Sequence, residues 1–252
     1  MNDSFFVLNI TTHTYTQVPP LALGEFAVAF GLAFDPNTSP CSSDHHFNII
    51  AYTTCNQFFI YSSETGLWRE SRATPLPIPW TYFPWADDGV FFNGSLYWIR
   101  DSENMIVFDV DREQARRMSL PASLVWGENG IRCDAWFGVV EGKLRLVQYR
   151  KGIILMWVLE DHEMGEWRTC HTEIADGPPK AKVIFFNGEL IVFAYYSMFD
   201  QSSHLQTYGM REKNWGRSRE LLYWMDHWRK FIPFQVQPRV LYTPVPRPGG
   251  DA

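Results

Sequence analysis

A short strand–turn–strand pattern recurs five times along the chain, and it limits the fold more than any other feature. Its clearest copy is Phe58-Phe59-Ile60-Tyr61-Ser62-Ser63-Glu64-Thr65-Gly66-Leu67-Trp68: an apolar strand, a polar turn, then a strand opened by an aromatic. The same layout runs from Phe5 to Tyr15 and from Met105 to Ala115. Leu205 to Trp215 is a weaker copy, and Ile154 reaches Trp167 through a turn three residues longer. The starts lie 53, 47, 49 and 51 residues apart, a step too constant for anything but a repeated supersecondary unit.

A second hairpin recurs upstream of the first. Val90 to Trp98 turns at Asn93-Gly94, Val183 to Ile191 at Asn187-Gly188, and Gly138 to Leu146 at Glu141-Gly142. Asn-Gly between apolar runs predicts a type I′ turn, which needs positive φ at both central residues. In the first full unit a longer polar loop over 35–46 replaces the turn, between strands at 27–34 and 47–52. Each unit is therefore four antiparallel strands, the content of a propeller blade.

The expected fold is all-β: a β-propeller of five four-stranded blades, with six as the alternative. It fills residues 1–246 and leaves 247–252 as a disordered tail. The chain begins at the third strand of a blade, so 231–236 and 240–243 are expected to supply that blade's first two strands, removing two open edges. The only helix-permissive stretch is 217–228. Trp68, Trp98, Trp157, Trp167 and Trp215 recur at blade positions and are expected to pack between blades.

Composition narrows the function. Hydrophobic residues make up 46% of the 252 and charged ones 20%, which is ample for a core. The net charge of −6 lacks the basic footprint of a nucleic-acid or membrane-surface binder. The N-terminus shows no basic-then-apolar leader, and the longest apolar run, 153–159, is too short to cross a bilayer. The four cysteines, at 41, 55, 133 and 170, form no CxxC pair. A reducing compartment is expected, cytoplasmic or nuclear, and the sequons at Asn2, Asn9, Asn37 and Asn93 carry little weight there.

Sites of chemistry are sparse. Cys41, His45 and His46 share a polar loop near Cys55, but their spacing fits no zinc pattern, so no metal is expected. Glu160-Asp161-His162-Glu163 holds an acid and a base, yet it falls on an outer hairpin turn and reads as solvated. No nucleophile elbow or phosphate loop is present. The expectation is a chain with no catalytic residues and no cofactor. Aromatics outside the repeat are more informative. Trp80, Tyr82, Phe83 and Trp85 lie in a Pro-rich link between units, Trp126 in another link, and Met198 and Phe199 in a loop. Links between blades and second-to-third-strand loops emerge on one face of a propeller. Large apolar groups gathered there suit a partner hot spot.

The units lack the WD dipeptide and the paired glycines of kelch repeats. In their order they resemble the plant F-box-associated domain, the substrate-recognition propeller of many F-box proteins. The resemblance lies in LNITTHTYTQVPP (8–20), FGLAFDP (30–36) with FNIIAY (47–52), IYSSETGLWRE (60–70), GVFFNGSLYWI (89–99), IVFDVDREQARRMSLP (106–121), GKLRLV (142–147) and MWVLEDHEMGEW (156–167). It departs at Ile10, where the family's opening motif has proline, and it shows neither an F-box nor the strand pair that precedes that motif. The resemblance implies a non-enzymatic module that binds a protein target. Without an F-box it would act as a decoy, inhibitor or antidote, meeting the Skp adaptor and cullin only if an F-box is supplied elsewhere. A ligase substrate receptor whose F-box lies outside this chain is the first alternative, and a glycan-binding propeller the second.

Overall fold

In a computed structural model, the described residues are 5–9, 13–21, 27–34, 46–53, 55–76, 89–101, 103–125, 135–175, 177–178 and 180–221. They form antiparallel sheets and no helix. Among the described residues no helix is long and apolar enough to cross a membrane.

The hairpin β1 (Phe5–Asn9) and β2 (Thr14–Val18) stands as a two-stranded sheet. Blade 1 comprises β3 (Ala27–Ala33), β4 (Asn48–Thr53), β5 (Phe58–Ser62) and β6 (Leu67–Glu70). Blade 2 comprises β7 (Val90–Phe92), β8 (Ser95–Ile99), β9 (Asn104–Asp109) and β10 (Gln114–Ser119). Blade 3 comprises β11 (Ala135–Val140), β12 (Lys143–Arg150), β13 (Ile153–Asp161) and β14 (Glu166–Ile174). Blade 4 comprises β15 (Lys182–Phe186), β16 (Leu190–Ser197), β17 (Ser202–Gly209) and β18 (Asn214–Trp215), with β19 (Arg219–Leu221) also paired to β17.

Among the described residues the propeller thus has four four-stranded blades, where the sequence predicted five or six. The discrepancy lies in β1–β2, which repeats the pattern but carries only two of the four strands a blade needs. The segments 231–236 and 240–243, expected to supply the other two, lie outside the described residues, as does the tail. The helix-permissive stretch fails where it is described, because Arg219–Leu221 is a strand on the edge of β17.

Strand alternation explains how the blades stack. Successive side chains of a strand point to opposite faces. In β8, Leu96 and Trp98 pack toward Ile50, Tyr52, Phe58 and Ile60 of blade 1. Tyr97 and Ile99 pack toward Leu144, Leu146 and Trp157 of blade 3. The next seam joins Val147, Tyr149 and Met156 to Val183, Ile191 and Phe193. On the hairpin, Val7 and Val18 meet Ile49, Tyr61 and Trp68 of blade 1.

The recurring tryptophans do pack between units, and four of them also bond across. Trp68 Nε1 donates to the Pro19 carbonyl at 2.8 Å, and Trp167 Nε1 to that of Ser119 at 2.9 Å. Trp98 Nε1 donates to the Phe30 carbonyl at 3.0 Å and Trp157 Nε1 to Ser123 Oγ at 3.0 Å. Trp215 differs: its Nε1 is buried and meets no acceptor among the described residues.

Turn geometry follows the repeat as well. The residue just before the outer strand is left-handed in all five units: His13, Gly66, Glu113, Gly165 and Lys213, with φ from 50° to 72°. Asn93 (φ 47°) and Gly94 (φ 75°) form the expected turn. At Asn187-Gly188 only the glycine is left-handed, and Asn187 Oδ1 instead accepts from the amides of Glu189 and Leu190.

Polar latches reinforce the seams. Glu113 reaches from blade 2 to Arg69 Nη2 (2.7 Å), Ser71 Oγ (3.1 Å) and the Arg72 amide (2.7 Å). The Arg69 guanidinium, with the Arg72 amide and the Ser71 hydroxyl, outweighs partial burial and holds the Glu113 carboxyl at about 2. A carboxyl depressed by folding stabilises the folded state above its ordinary value of 4.5, and that stability is lost as pH falls toward about 2. Thermal melts of Glu113→Gln should therefore show lower stability than wild type at pH 7 and a difference that shrinks as pH is lowered from 5 to 2. A difference independent of pH would contradict the latch.

Candidate partner-binding face

A parallel bridge links Gly31 of blade 1 to Gly89 at the start of blade 2, so these inner strands run the same way. In an antiparallel meander, the turns between second and third strands then share one face with the links between blades. We call this the upper face.

On it, blade 1 presents Cys55, Asn56 and Gln57, blade 2 Arg100, Asp101 and Glu103, and blade 3 Lys151 and Gly152. These turns are polar. Arg100 is buried, donating from Nη1 to Tyr52 Oη at 2.7 Å with its guanidinium carbon 5.9 Å from the centre of the Tyr52 ring. Burial raises the Tyr52 pKa and lowers that of Arg100, each partly offset by the other. This pair ties blade 1 to blade 2.

Blade 4 is different. Its turn between β16 and β17 carries Met198 at 82% exposure and Phe199 at 100%. Two large apolar side chains held entirely in water are costly unless something else covers them. A polar brace fixes the turn beneath them. Ser202 donates its amide to Asp200 Oδ1 at 3.3 Å, and His204 Nε2 lies 2.9 Å from Asp200 Oδ2 and 2.8 Å from Ser202 Oγ. On the ring's other side, Ser218 Oγ lies 3.1 Å from Nδ1 and 2.9 Å from Tyr195 Oη. Tyr195 stacks on the imidazole at 5.2 Å and 14°. Bonding to Ser197, Ser202 and His204 holds the Asp200 carboxyl at about 2. With a neutral ring, Nε2–H donates to Asp200 and Nδ1 accepts from Ser218, so one directed chain runs from Tyr195 to the carboxylate. Asp200, His204 and Ser218 have the connectivity of a nucleophile–base–acid triad. The Ser218 hydroxyl also meets Tyr195 and His204 Nε2 also meets Ser202, so the cluster ties the turn to β16, β17 and the segment ahead of β19.

Of the residues the sequence singled out, Met198 and Phe199 are found exposed and adjacent. Trp80, Tyr82, Phe83, Trp85 and Trp126 lie outside the described residues, as do Cys41 and His45. Among the described residues no group of His, Cys, Asp and Glu has the arrangement to hold a metal ion. His162 corrects the reading of a solvated turn. It sits half-buried at the seam of blades 2 and 3, 3.2 Å from Tyr97 Oη and 5.3 Å from the Phe92 ring centre, and burial lowers its pKa. The Arg116 guanidinium caps its carbonyl. Sequence reasoning missed the brace; Asp200-x-Ser202-x-His204 signals its strand half by period-two alternation, but nothing in the sequence places Ser218 beside it.

The repeat and the blade architecture agree with a family comparison: the F-box associated beta propeller domain matches residues 4–221. The chain belongs to this family. No curated protein matches the chain. Solved structures similar to this F-box-associated propeller include one titled Crystal Structure of Mitotic Checkpoint Complex, at 10% identity and TM-score 0.45, covering 86% of this chain and 58% of that one. TolB from Acinetobacter baumannii matches at 10% identity and TM-score 0.46, covering 86% and 48%. The WD40 domain of SCAP from fission yeast matches at 13% identity and TM-score 0.39, covering 86% and 57%. The chain thus spans about half the length of these structures, and at such scores they carry no functional argument.

Proposed function

We propose that this F-box-associated propeller is a non-enzymatic module that binds a protein target through its upper face, in the cytoplasm or nucleus. The observation that carries this reading is the braced turn of blade 4, which presents Met198 and fully exposed Phe199 to solvent. Family membership supports a role in protein interaction. Trp80, Tyr82, Phe83, Trp85 and Trp126 are included in this proposal on the sequence argument alone. Acting alone, the chain works by occupying its target, as a decoy, inhibitor or antidote. Joined to an F-box supplied elsewhere, it would instead deliver that target to a Skp–cullin ligase.

Affinity purification of the tagged chain with quantitative mass spectrometry tests this. One enriched protein without the Skp adaptor or cullin supports the stand-alone role, and enrichment of both supports the ligase role. Recovery of background proteins alone, together with a hit on a glycan array, would overturn the reading in favour of sugar binding.

A further inference from the structure

The same turn has charged surroundings that point to the chemistry of its partner. Lys182 pairs with Ala194, so the top of β15 runs beside the upper end of β16. Exposed Lys180 lies two residues further out, in a left-handed conformation (φ 57°). On the other flank, β19 pairs with the upper end of β17: Arg219 stands opposite Leu205 and Glu220 opposite His204. Arg217 and Arg219 are exposed, and Ser218 between them is bonded into the brace. Among the described residues the cations of this corner thus outnumber its two exposed carboxylates, Asp200 and Glu220, and Asp200 is engaged by His204. This happens in a chain whose net charge is −6.

Resting on the protein-binding reading above, we infer that this corner of blade 4 docks a protein bearing an apolar pocket rimmed by carboxylates. Phe199 fills the pocket and Met198 lines its mouth. Lys180, Arg217 and Arg219 face the acidic rim. An exposed aromatic on a preorganised turn loses little freedom on binding, which is what makes such residues dominate an interface. Cations at the edge of an interface act mainly on encounter rate and on the choice of partner, and their effect is screened by salt.

The test uses the full chain with a photo-crosslinking amino acid at Met198, which leaves Phe199 in place. A control carries it at Met164, 74% exposed on the turn between β13 and β14 on the opposite face. The protein captured from natural-source cells is then purified and its affinity measured directly. Expected is capture from position 198 and not from 164. Phe199→Ala should weaken binding about thirtyfold or more, and Lys180→Glu with Arg219→Glu about tenfold. Added salt should weaken wild-type binding and leave the charge-reversed variant nearly unaffected. An affinity indifferent to Phe199→Ala, or tighter binding after charge reversal, would overturn the inference while the upper-face reading stands; capture from 164 alone would overturn the inference and the upper-face reading together, leaving protein binding itself. Capture from neither position would overturn the inference and the protein-binding reading.

Discussion

Trp98→Ala should lower the stability of the folded chain by about 4 kcal/mol, as large aromatic truncations in a well-packed core do. For a chain of this size that corresponds to a fall in Tm of roughly 8–16 °C. Trp98 is 2% exposed and packs at the seam of blades 1 and 2, where its indole also donates to the Phe30 carbonyl. The truncation therefore opens a cavity and removes one of the two donors to the Phe30 carbonyl, which keeps the Gly89 amide at 2.7 Å. Two glycines make room for the ring. A Cβ on Gly89 would stand 2.6 Å from indole atoms, and one on Gly31 would stand 2.9 Å from the ring and 2.6 Å from Leu96. Gly89→Ala alone should cost about 1–3 kcal/mol through overpacking. In the Trp98→Ala background the same change should cost almost nothing, because the atoms it would strike are gone. Calorimetry on the four chains measures this coupling. Additive losses would mean that Gly89 is required for another reason.

The second large effect is expected at the seam of blades 3 and 4. Glu173 is 9% exposed, and Tyr208, at 2%, donates to its Oε1 at 2.6 Å. His171 Nε2 lies 2.9 Å from Oε2 and Lys213 Nζ 3.7 Å from Oε1. Burial pulls the Glu173 pKa up, but Tyr208, His171 and Lys213 together leave it below its ordinary value. The Tyr208 hydroxyl is pushed up to about 12 by burial and by the carboxylate it serves. Tyr208→Phe keeps the ring and removes the donor, leaving the buried carboxylate short of a partner. That should cost about 1–3 kcal/mol at pH 7. Because the Glu173 pKa is depressed by folding, the contribution is present above 4.5 and is lost as pH falls through the folded value. The variant and wild type should therefore converge in acid. Chemical denaturation at pH 7 and pH 3 reads this, and an equal gap at both values would contradict it.

The periodic part of the fold was legible because blades repeat their chemistry. The 27–34 strand emerges as Ala27–Ala33 and the 47–52 strand as Asn48–Thr53, and Asn93-Gly94 adopts the turn its sequence demands. Asn187-Gly188 does not, although the dipeptide is identical. The β15–β16 ladder shifts register between Val183 and Phe185, and the Asn187 side chain takes over the amides beyond the turn. Blade number was less legible, since β1–β2 carries the repeat's pattern but, among the described residues, pairs with no further strand.

The site was half legible for a related reason. Met198 and Phe199 stood out as apolar residues in a loop without repeat logic. Lys180 and Arg219 lie 18 and 21 residues from Met198 in sequence, and only strand pairing brings them to its flanks. His162 was misread because a turn position says nothing about the neighbouring blade against which the turn packs.

The central claim is that this propeller reads a protein through its upper face. Amide hydrogen exchange of the full chain, with and without its purified partner, tests it most directly. Protection is predicted in the upper turns, strongest over 195–204 and extending to 99–104 and 149–153. Protection confined to the lower turns at 62–67, 109–114 and 161–166, with 195–204 unchanged, would contradict it.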